Sequence, residues 1–253
     1  MSIPPFIQFD HITKKFGKKV VLDDLNLNIP YGKIFGIIGS SGSGKTTILN
    51  ILVGFLKPND GKVLFQSRDI RNDMRTIEKQ FGFAAQDCSF YDNLTVQENL
   101  YYFGNLYGLN SKELKVKTNE LVSFVELEDA IETLGSRLSM GMKRRLDIAC
   151  SLINKPKVLI LDEPTQDLDP ILRREIITLI RRLNKEENTT VIITSHLLGE
   201  IEELCDEIGI LQEGKIVEIG SPSFLKKKYS KRNLDDVFEA VVSRVRKDRY
   251  SKK

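Results

Sequence analysis

The stretch Gly39-Ser-Ser-Gly-Ser-Gly-Lys-Thr-Thr47 decides the fold of this chain. It follows the apolar run Ile34 to Ile38 and precedes a segment in which apolar residues recur at helical spacing. In such a strand, turn and helix, glycines let consecutive backbone N–H groups turn towards phosphate oxygens beside the positive end of the helix. The sequence therefore predicts a phosphate-binding loop, or P-loop, in an α/β protein.

The side chains of this loop suit a nucleotide with a divalent cation. Lys45 can bring a mobile charge to the β- and γ-phosphates, and the Thr46 hydroxyl is a suitable Mg²⁺ ligand. Thr47 is expected only to support the loop. The nucleotide is expected to contact Gly39, Ser40, Ser41, Gly42, Ser43, Gly44, Lys45, Thr46 and Thr47. A turn that merely caps a helix is the alternative, and the flanking strand and helix signals disfavour it.

Composition excludes several protein classes. The 253 residues can form one large or two smaller domains, and a hydrophobic share of 41% with a mean hydropathy of −0.22 indicates a globular protein. No uninterrupted apolar run approaches the roughly 20 residues that cross a bilayer. Residues 1–5 lack the basic flank and apolar centre of a secretory signal, so we expect the chain to stay in the cytosol. Three widely spaced cysteines predict reduced, mostly buried thiols: Cys88, Cys150 and Cys205.

Charge is distributed unevenly along the chain. Residues 226–253 hold eleven basic and four acidic residues, a net charge of +7, which leaves −4 for the rest. A solvated, partly frayed terminus is one interpretation of this basic tail. Attraction to anionic lipid or nucleic acid is the other.

The N-terminal region predicts an antiparallel layer. Residues 6–10 and Val20 to Pro30 have strand patterns, and the turn Phe16-Gly17-Lys18-Lys19 separates them. Phe16 lies at this turn, where its ring could stack on a purine base. An ordinary core or surface aromatic is the alternative for Phe16.

Polar residues follow three further predicted strands. Gln86 follows Phe81 to Ala85, Asp162 and Glu163 follow Lys157 to Leu161, and His196 follows the strand that begins at Thr190. Parallel strands of α/β proteins bind ligands at their carboxyl ends. Asp162 therefore suits Mg²⁺, Glu163 a base that orients water, Gln86 the cation or the water, and His196 the γ-phosphate. An ordinary loop glutamine, an acidic turn and a capping histidine are the alternatives.

Helical spacing dominates from about Asp87 to Lys155, which predicts an inserted helical subdomain. Its aromatic clusters, at residues 90–91 and 101–103, are expected to lie mostly in the core, with some exposed for a partner helix. Within this segment Ser139 is a good helix N-cap. The following cations, residues 143–145, oppose the helix dipole, so they predict either a bound anion or a basic surface turn.

With these motifs in this order, the sequence resembles an ATP-binding cassette, the nucleotide-binding subunit of an ABC transporter, along nearly its whole length. The resemblance assigns the Walker A motif to residues 39–47, the Q-loop to Gln86, the signature motif to 138–142, Walker B to 158–163, the D-loop to 166–169, the switch histidine to His196 and the base-stacking aromatic to Phe16. It implies a P-loop NTPase core with a parallel sheet, an N-terminal antiparallel β-subdomain and the helical insertion. The expected domain spans residues 1–225, with the insertion at about 87–155 and a basic helix or tail at 226–253.

The resemblance also implies an activity. Two cassettes would bind ATP and Mg²⁺ head to tail, with Ser139 and Gly141 of each closing over the nucleotide of the other. The implied catalytic residues are Glu163, His196, Lys45 and Gln86, and the implied Mg²⁺ ligands are Thr46, Gln86 and Asp162. Integral membrane permease subunits are the expected partners, at the cytoplasmic face of the membrane, and no nucleic-acid partner is expected.

Two departures from the family pattern stand out. Met140 occupies a signature position that is normally glycine, and Gln166-Asp167 occupies a D-loop position where Ser-Gly is common. A Cβ at Met140 is expected to weaken closure over phosphate. Residues 141–146 and 234–239 resemble the drug, antibiotic and lipid exporter branch. A soluble single-cassette ATPase of protein or cofactor assembly and a purely regulatory nucleotide binder are the alternative functions.

Overall fold

A computed structural model describes residues 5–72 and 74–250 of the chain. The prediction that no secretory signal is present rests mainly on residues 1–4, which lie outside this range, as do the last three residues of the basic tail. The chain divides into two compact units. The first comprises Met1–Ile77 and Thr190–Lys253, and the second Glu78–Thr189. The domain boundaries expected from the sequence remain a prediction.

An antiparallel sheet begins the first unit. Its strands, numbered in chain order, are β1 (Ile7–Phe16), β2 (Lys19–Ile29), β4 (Asp60–Phe65) and β5 (Arg68–Asp69), in the spatial order β2-β1-β4-β5. The predicted hairpin is confirmed, with Phe16 paired to Lys19. Gly17 makes the tight connection with a φ of 59°, which a residue without a Cβ adopts at little cost.

A mixed sheet forms the rest of this unit's β-structure. Its strands are β3 (Ile34–Ile38), β8 (Thr190–Ser195), β9 (Glu207–Gln212) and β10 (Lys215–Gly220). β3 runs parallel to both β8 and β9, and β10 pairs antiparallel with β9. All residues of β3 and β8 are buried, as the apolar run of β3 predicts for a strand covered on both faces. β9 and β10 form a hairpin that turns at Glu213-Gly214.

The helices of this unit include two at the basic end of the chain. They are α1 (Lys45–Leu52), α7 (Leu198–Leu204), α8 (Pro222–Tyr229) and α9 (Leu234–Tyr250), while α2 (Met74–Glu78) spans the boundary of the two units. Leu234, Val237 and Val241 of α9 are buried. Glu218 accepts hydrogen bonds from Lys228 and Arg244 at 2.5 and 2.9 Å. The expectation of a frayed tail is therefore wrong for the described residues, because an apolar stripe and internal ion pairs hold both helices.

The second unit combines two parallel strands with helices. β6 (Phe81–Ala84) pairs in parallel with β7 (Val158–Asp162). The helices are α3 (Val96–Leu106), α4 (Ser111–Phe124), α5 (Met140–Leu152) and α6 (Pro170–Glu187). The helical character predicted for about 87–155 is confirmed, and parallel strands with helices around them confirm the α/β class.

Local sequence signals explain where these helices begin. Thr95 with Glu98, and Asn110 with Glu113, form reciprocal capping boxes at α3 and α4. Asp169 caps α6 ahead of a proline at the first turn, where a missing N–H costs nothing. None of the helices in the described part of the chain combines the length and apolarity that a membrane crossing needs.

Candidate functional site

The P-loop of the first unit connects β3 to α1. Gly42 and Gly44 have φ values of 72° and 111°, in the region that favours glycine. The Ser43 N–H donates to the Ser40 carbonyl at 3.1 Å and closes the turn. Gly44 precedes α1 without a side-chain cap, and the first turn of α1 contains no acidic residue. The positive end of α1 thus points at the loop, and the first turn of the helix has no acidic side chain of its own to oppose an anion.

Gly39 begins the loop at a position with no room for a side chain. A Cβ there would lie 2.6 Å from the Ser43 Oγ and 2.7 Å from the carbonyl oxygen of Leu211 in β9. The Ser43 Oγ itself is buried and has no hydrogen-bond partner among the described residues. A buried hydroxyl without a partner is costly unless a ligand satisfies it. This cradle therefore fits phosphate oxygens.

Lys45 and Thr46 begin α1 with different exposures. Lys45 is buried, and its Nζ donates to the Gly39 carbonyl at 3.0 Å, so the ammonium lies directly over the loop. The Thr46 side chain is exposed, and Thr47 is half-buried. An accessible hydroxyl on the first turn suits a cation ligand, as the sequence predicts for Thr46.

His196 lies at the same sheet edge as the P-loop. In the register of β3 and β8, Ile38 pairs with Ser195, so Gly39 and His196 both leave their strands at the next position. The Ser195 Oγ accepts a hydrogen bond from the Leu197 N–H at 2.9 Å and fixes the turn. The His196 side chain is exposed. The prediction that this histidine follows a strand end beside the P-loop is confirmed, and its role remains a prediction.

Phe16 presents an accessible ring. Its side chain is 48% exposed at the hairpin turn, and the Lys14 Nζ lies 5.1 Å from the ring centroid. The ring is therefore not a core residue, which removes one alternative. Its stacking on a base remains a prediction.

The second unit brings Gln86, Asp162 and Glu163 to one edge of its strand pair. Ala84 pairs with Leu161, so β6 and β7 end side by side. Asp162 is the last residue of β7 and is buried, whereas Gln86 is exposed. Glu163 has a left-handed backbone with a φ of 50°, which turns the chain sharply after the strand. Backbone strain of this kind is concentrated at functional sites.

The Gln86 side chain has a partner that sequence reasoning missed. Its Nε2 donates to the Oε1 of Gln166 at 2.7 Å. Gln166 belongs to the turn between β7 and α6, where its N–H donates to the Glu163 carbonyl at 3.1 Å. Eighty residues separate Gln86 from Gln166, so no local spacing signals this contact. The bond uses the amide nitrogen of Gln86, and its amide oxygen is the atom that a cation would bind.

The signature turn has the predicted cap. The Ser139 Oγ accepts a hydrogen bond from the Met142 N–H at 3.3 Å, and α5 begins at Met140. Gly141 is buried, and a Cβ there would lie 2.8 Å from the Leu172 side chain of α6. Ser139 and Gly141 line an open cleft of about 310 Å³.

The expectation that the cations after this turn meet an external anion is wrong. Arg144 donates to two main-chain carbonyls, and Arg145 donates to Glu126 and Glu175 at 2.6 and 2.9 Å. The Nζ of Lys143 lies 3.4 Å from a carboxylate oxygen of Asp92. These contacts are internal to the second unit, so the charges are matched within the fold and require no bound ligand.

The cysteines are mostly buried as predicted, with Cys150 and Cys205 buried and Cys88 half-buried. Burial raises the pKa of the Cys88 and Cys150 thiols above the ordinary value, and the Asp147 carboxylate adds to the effect. These thiols therefore stay protonated at neutral pH and are poor nucleophiles.

The residues of both units fit Mg²⁺ and a nucleoside triphosphate. In the first unit, a Cβ added at Gly39 would fill the phosphate cradle. The buried Ser43 hydroxyl has no hydrogen-bond partner among the described residues, and Thr46 offers an exposed oxygen. In the second unit, Asp162 and Gln86 offer a carboxylate and an amide oxygen at a strand edge. Hard oxygen donors of this kind are what Mg²⁺ prefers.

Comparison with known proteins identifies the family. A family model described as ABC transporter matches residues 22–166. The chain belongs to the ABC transporter family. The bacitracin transport ATP-binding protein BcrA of Bacillus licheniformis is 38% identical over 239 residues, which cover 93% of this chain and 77% of BcrA. The lantibiotic transport ATP-binding protein SrtF of Streptococcus pyogenes is 37% identical over 238 residues, covering 93% of this chain and 97% of SrtF.

A solved structure extends the likeness to the fold. It is the dimeric post-hydrolysis state of the ATP-binding cassette MJ0796 bound to ADP and Pi, with a TM-score of 0.76 and 28% identity. It covers 85% of this chain and 98% of that cassette. This ABC protein is thus an ATP-binding transport subunit and an ATPase, and the prediction of a transport role is confirmed over the soluble assembly alternative.

Proposed function

We propose that this ABC subunit powers the export of amphiphilic peptide antibiotics or related compounds through separate membrane permeases. The observation that carries this proposal is the similarity, over 93% of the chain, to subunits named for bacitracin and lantibiotic transport. The permeases would hold the subunit at the cytoplasmic face of the membrane. Two cassettes would bind two ATP molecules head to tail and drive the permeases between access states.

The P-loop residues would hold the nucleotide. The amides of residues 39–44 and the Lys45 ammonium would bind the phosphates, Thr46 and Asp162 would hold Mg²⁺, and Phe16 would stack on the base. Lys45 already points at the loop, because its Nζ is bonded to the Gly39 carbonyl. When bound, Mg²⁺ supplies charge neutralisation for the β- and γ-phosphate oxygens.

The strand-end residues would then position water and charge. Glu163 would orient and polarise the attacking water, His196 would contact the γ-phosphate, and Gln86 would contribute to holding the cation. Phosphoryl transfer requires mainly positioning and charge stabilisation, so residues placed at strand ends are sufficient for this chemistry.

The signature turn would act on the partner's nucleotide. Ser139 and the Gly141 backbone would close over phosphate bound by the other cassette. The cleft beside them is open, which leaves room for a second protein surface. Hydrolysis would remove the anionic bridge and reopen the pair.

An aromatic surface of the second unit is the proposed contact for the permease. The rings of Tyr91 and Tyr102 form a T-shaped pair with centroids 4.8 Å apart, and both are partly exposed. Leu106, one turn after Tyr102 on α3, is also exposed. A grouping of exposed aromatic and aliphatic side chains suits an amphipathic partner helix.

Purification from native membranes tests the proposal. The tagged chain, extracted in mild detergent, is expected to bring an integral membrane protein with it, and a strain without the chain is expected to become more sensitive to bacitracin-like peptides. Recovery with soluble proteins alone would contradict the transporter assembly. Unchanged sensitivity across a panel of peptide antibiotics would contradict the proposed substrate class. It would not contradict the ATPase activity.

A further inference from the structure

Arg144 reaches from α5 to the loop that carries Gln86. The arginine is only 5% exposed, and the two terminal nitrogens of its guanidinium donate to separate main-chain oxygens. Nη1 lies 3.1 Å from the Ala85 carbonyl, and Nη2 lies 3.1 Å from the Gln86 carbonyl. A planar fork that bonds two consecutive peptides fixes their orientation, whereas a point charge would not.

Asp147, one turn further along α5, holds the same loop from its other end. Its Oδ1 accepts a hydrogen bond from the Ser89 N–H at 2.8 Å. Its Oδ2 lies 3.8 Å from the Nη1 of Arg144, and the residue is only 1% exposed. The two side chains therefore bind three main-chain groups within residues 85–89.

A buried ion pair is weak evidence for stability. Removing two charges from water is costly, and apolar replacements of similar size often fold as well or better. The geometric effect is more specific, because this pair joins the loop of Gln86 to α5, the helix that Ser139 caps. Three hydrogen bonds therefore connect the two elements.

We propose that Arg144 and Asp147 are positioning residues that hold Gln86 in place and make its loop move together with the signature helix. The proposal rests on the proposed role of Gln86 at the cation. In this arrangement the pair orients the peptide from which the Gln86 side chain projects.

The decisive variant removes both charges at once. Arg144→Met alone leaves Asp147 buried without its partner, which threatens folding. Arg144→Met combined with Asp147→Leu avoids that problem, and its thermal unfolding is expected to stay close to wild type. Its kcat for ATP is expected to fall roughly tenfold, as when a group that orients a metal ligand is lost, with KM unchanged because the P-loop is untouched. Exposed Arg68 provides the matched control, Arg68→Met, which is expected to keep wild-type kinetics.

Coupling to Gln86 separates positioning from a general structural effect. In a Gln86→Ala background, the paired Arg144 and Asp147 substitutions are expected to lower kcat little further, because the side chain that the pair positions is already absent. If the two kcat decreases multiply instead, the inference is overturned, whereas the proposed function is unaffected. If Gln86→Ala leaves kcat unchanged, the proposed role of Gln86 fails instead.

Hydrogen exchange tests the contacts without nucleotide. In the full chain, the Ser89 amide is expected to exchange at least tenfold faster in the paired variant than in wild type, and Arg144→Lys is expected to lie between them. Unchanged exchange across residues 85–89 would overturn the inference, because these hydrogen bonds would then not hold the loop.

Discussion

The Nε2 atom of Gln86 lies 2.7 Å from the Oε1 atom of Gln166, and the hydrogen bond joins the loop after β6 to the turn after β7. At the position of Gln166 the family pattern commonly has serine. The serine hydroxyl lies on a shorter side chain than the glutamine amide. Gln166 thus makes a contact that the shorter residue would not span in this arrangement. Because the bond engages the amide nitrogen of Gln86, the amide oxygen is the atom left for the proposed contact with the cation.

Replacing Gln166 by leucine is therefore expected to lower kcat. The loss of one hydrogen bond corresponds to a decrease in kcat of roughly threefold to tenfold. The decrease should be largest at limiting Mg²⁺. Gln166→Glu keeps an acceptor oxygen and serves as the control. Steady-state ATPase assays across a Mg²⁺ titration provide the measurement, and equal losses in both variants would show that the hydrogen bond is unimportant.

Glu163→Gln is expected to trap an ATP-bound dimer. The amide cannot polarise water as the carboxylate does, so turnover should fall on the order of a hundredfold or more. Nucleotide binding should persist, since the P-loop is unchanged. Size-exclusion chromatography with Mg-ATP should show a long-lived dimer for the variant. Normal hydrolysis by a variant that stays monomeric would contradict the proposed mechanism.

Gly39→Ala tests the close packing of the P-loop. The added Cβ would lie 2.7 Å from the rigid Leu211 carbonyl, so the loop must shift. We expect a loss of about 1–3 kcal/mol in the free energy of unfolding, together with weaker ATP binding. Gly199→Ala is the matched control, because its Cβ would meet no atom within 4 Å in α7. That change should be neutral or slightly stabilising, and similar losses in both variants would contradict the packing argument.

The sequence predicted those parts of the site that depend on local spacing. The glycines of the P-loop, the Ser139 cap and the polar residues after β6, β7 and β8 follow patterns a few residues long, and the structure has each of them. Such patterns report backbone conformation and strand burial directly. They say nothing about which side chains meet across the fold.

The misses have one cause in common. The carbonyl that Arg144 binds lies 58 residues away in sequence, at Gln86, so its cationic side chain suggested an external anion instead. The tail was misjudged for a related reason. Its net charge of +7 favoured a solvated terminus, although Leu234, Val237 and Val241 already stood at helical spacing. In the tail, Glu202 pairs with Lys226, and Glu218 pairs with Lys228 and Arg244.

Met140→Gly is expected to strengthen closure of the dimer. Met140 is 53% exposed at the start of α5, in the turn proposed to approach the partner's phosphate. Glycine would allow closer backbone approach, although it costs roughly 0.5–1 kcal/mol of helix stability. Dimer lifetime with Mg-ATP, measured in the Glu163→Gln background, should increase. Met140→Ala keeps the Cβ and shows whether the long side chain alone is responsible. No gain with glycine would mean that Met140 does not hinder closure.

Asp147 is expected to make stability fall as pH rises. Burial raises its pKa from 3.8 to about 6, opposed by the Ser89 N–H and by Arg144, and the thiols of Cys88 and Cys150 also lie nearby. The unfolded chain therefore loses this proton at lower pH than the folded chain, so the stabilising contribution is complete below pH 3.8 and disappears as pH rises through 6.

Asp147→Asn removes this titration. Urea unfolding at pH 5 and 7.5 should show that the unfolding free energy of wild type falls by about 1 kcal/mol more than that of the variant between the two pH values. The asparagine oxygen can still accept from Ser89, so the loop contact is kept. Arg68→Met, which leaves Asp147 in place, should follow wild type. Parallel pH profiles for wild type and Asp147→Asn would mean that Asp147 is already ionised at pH 5, and that Arg144 rather than burial controls its charge.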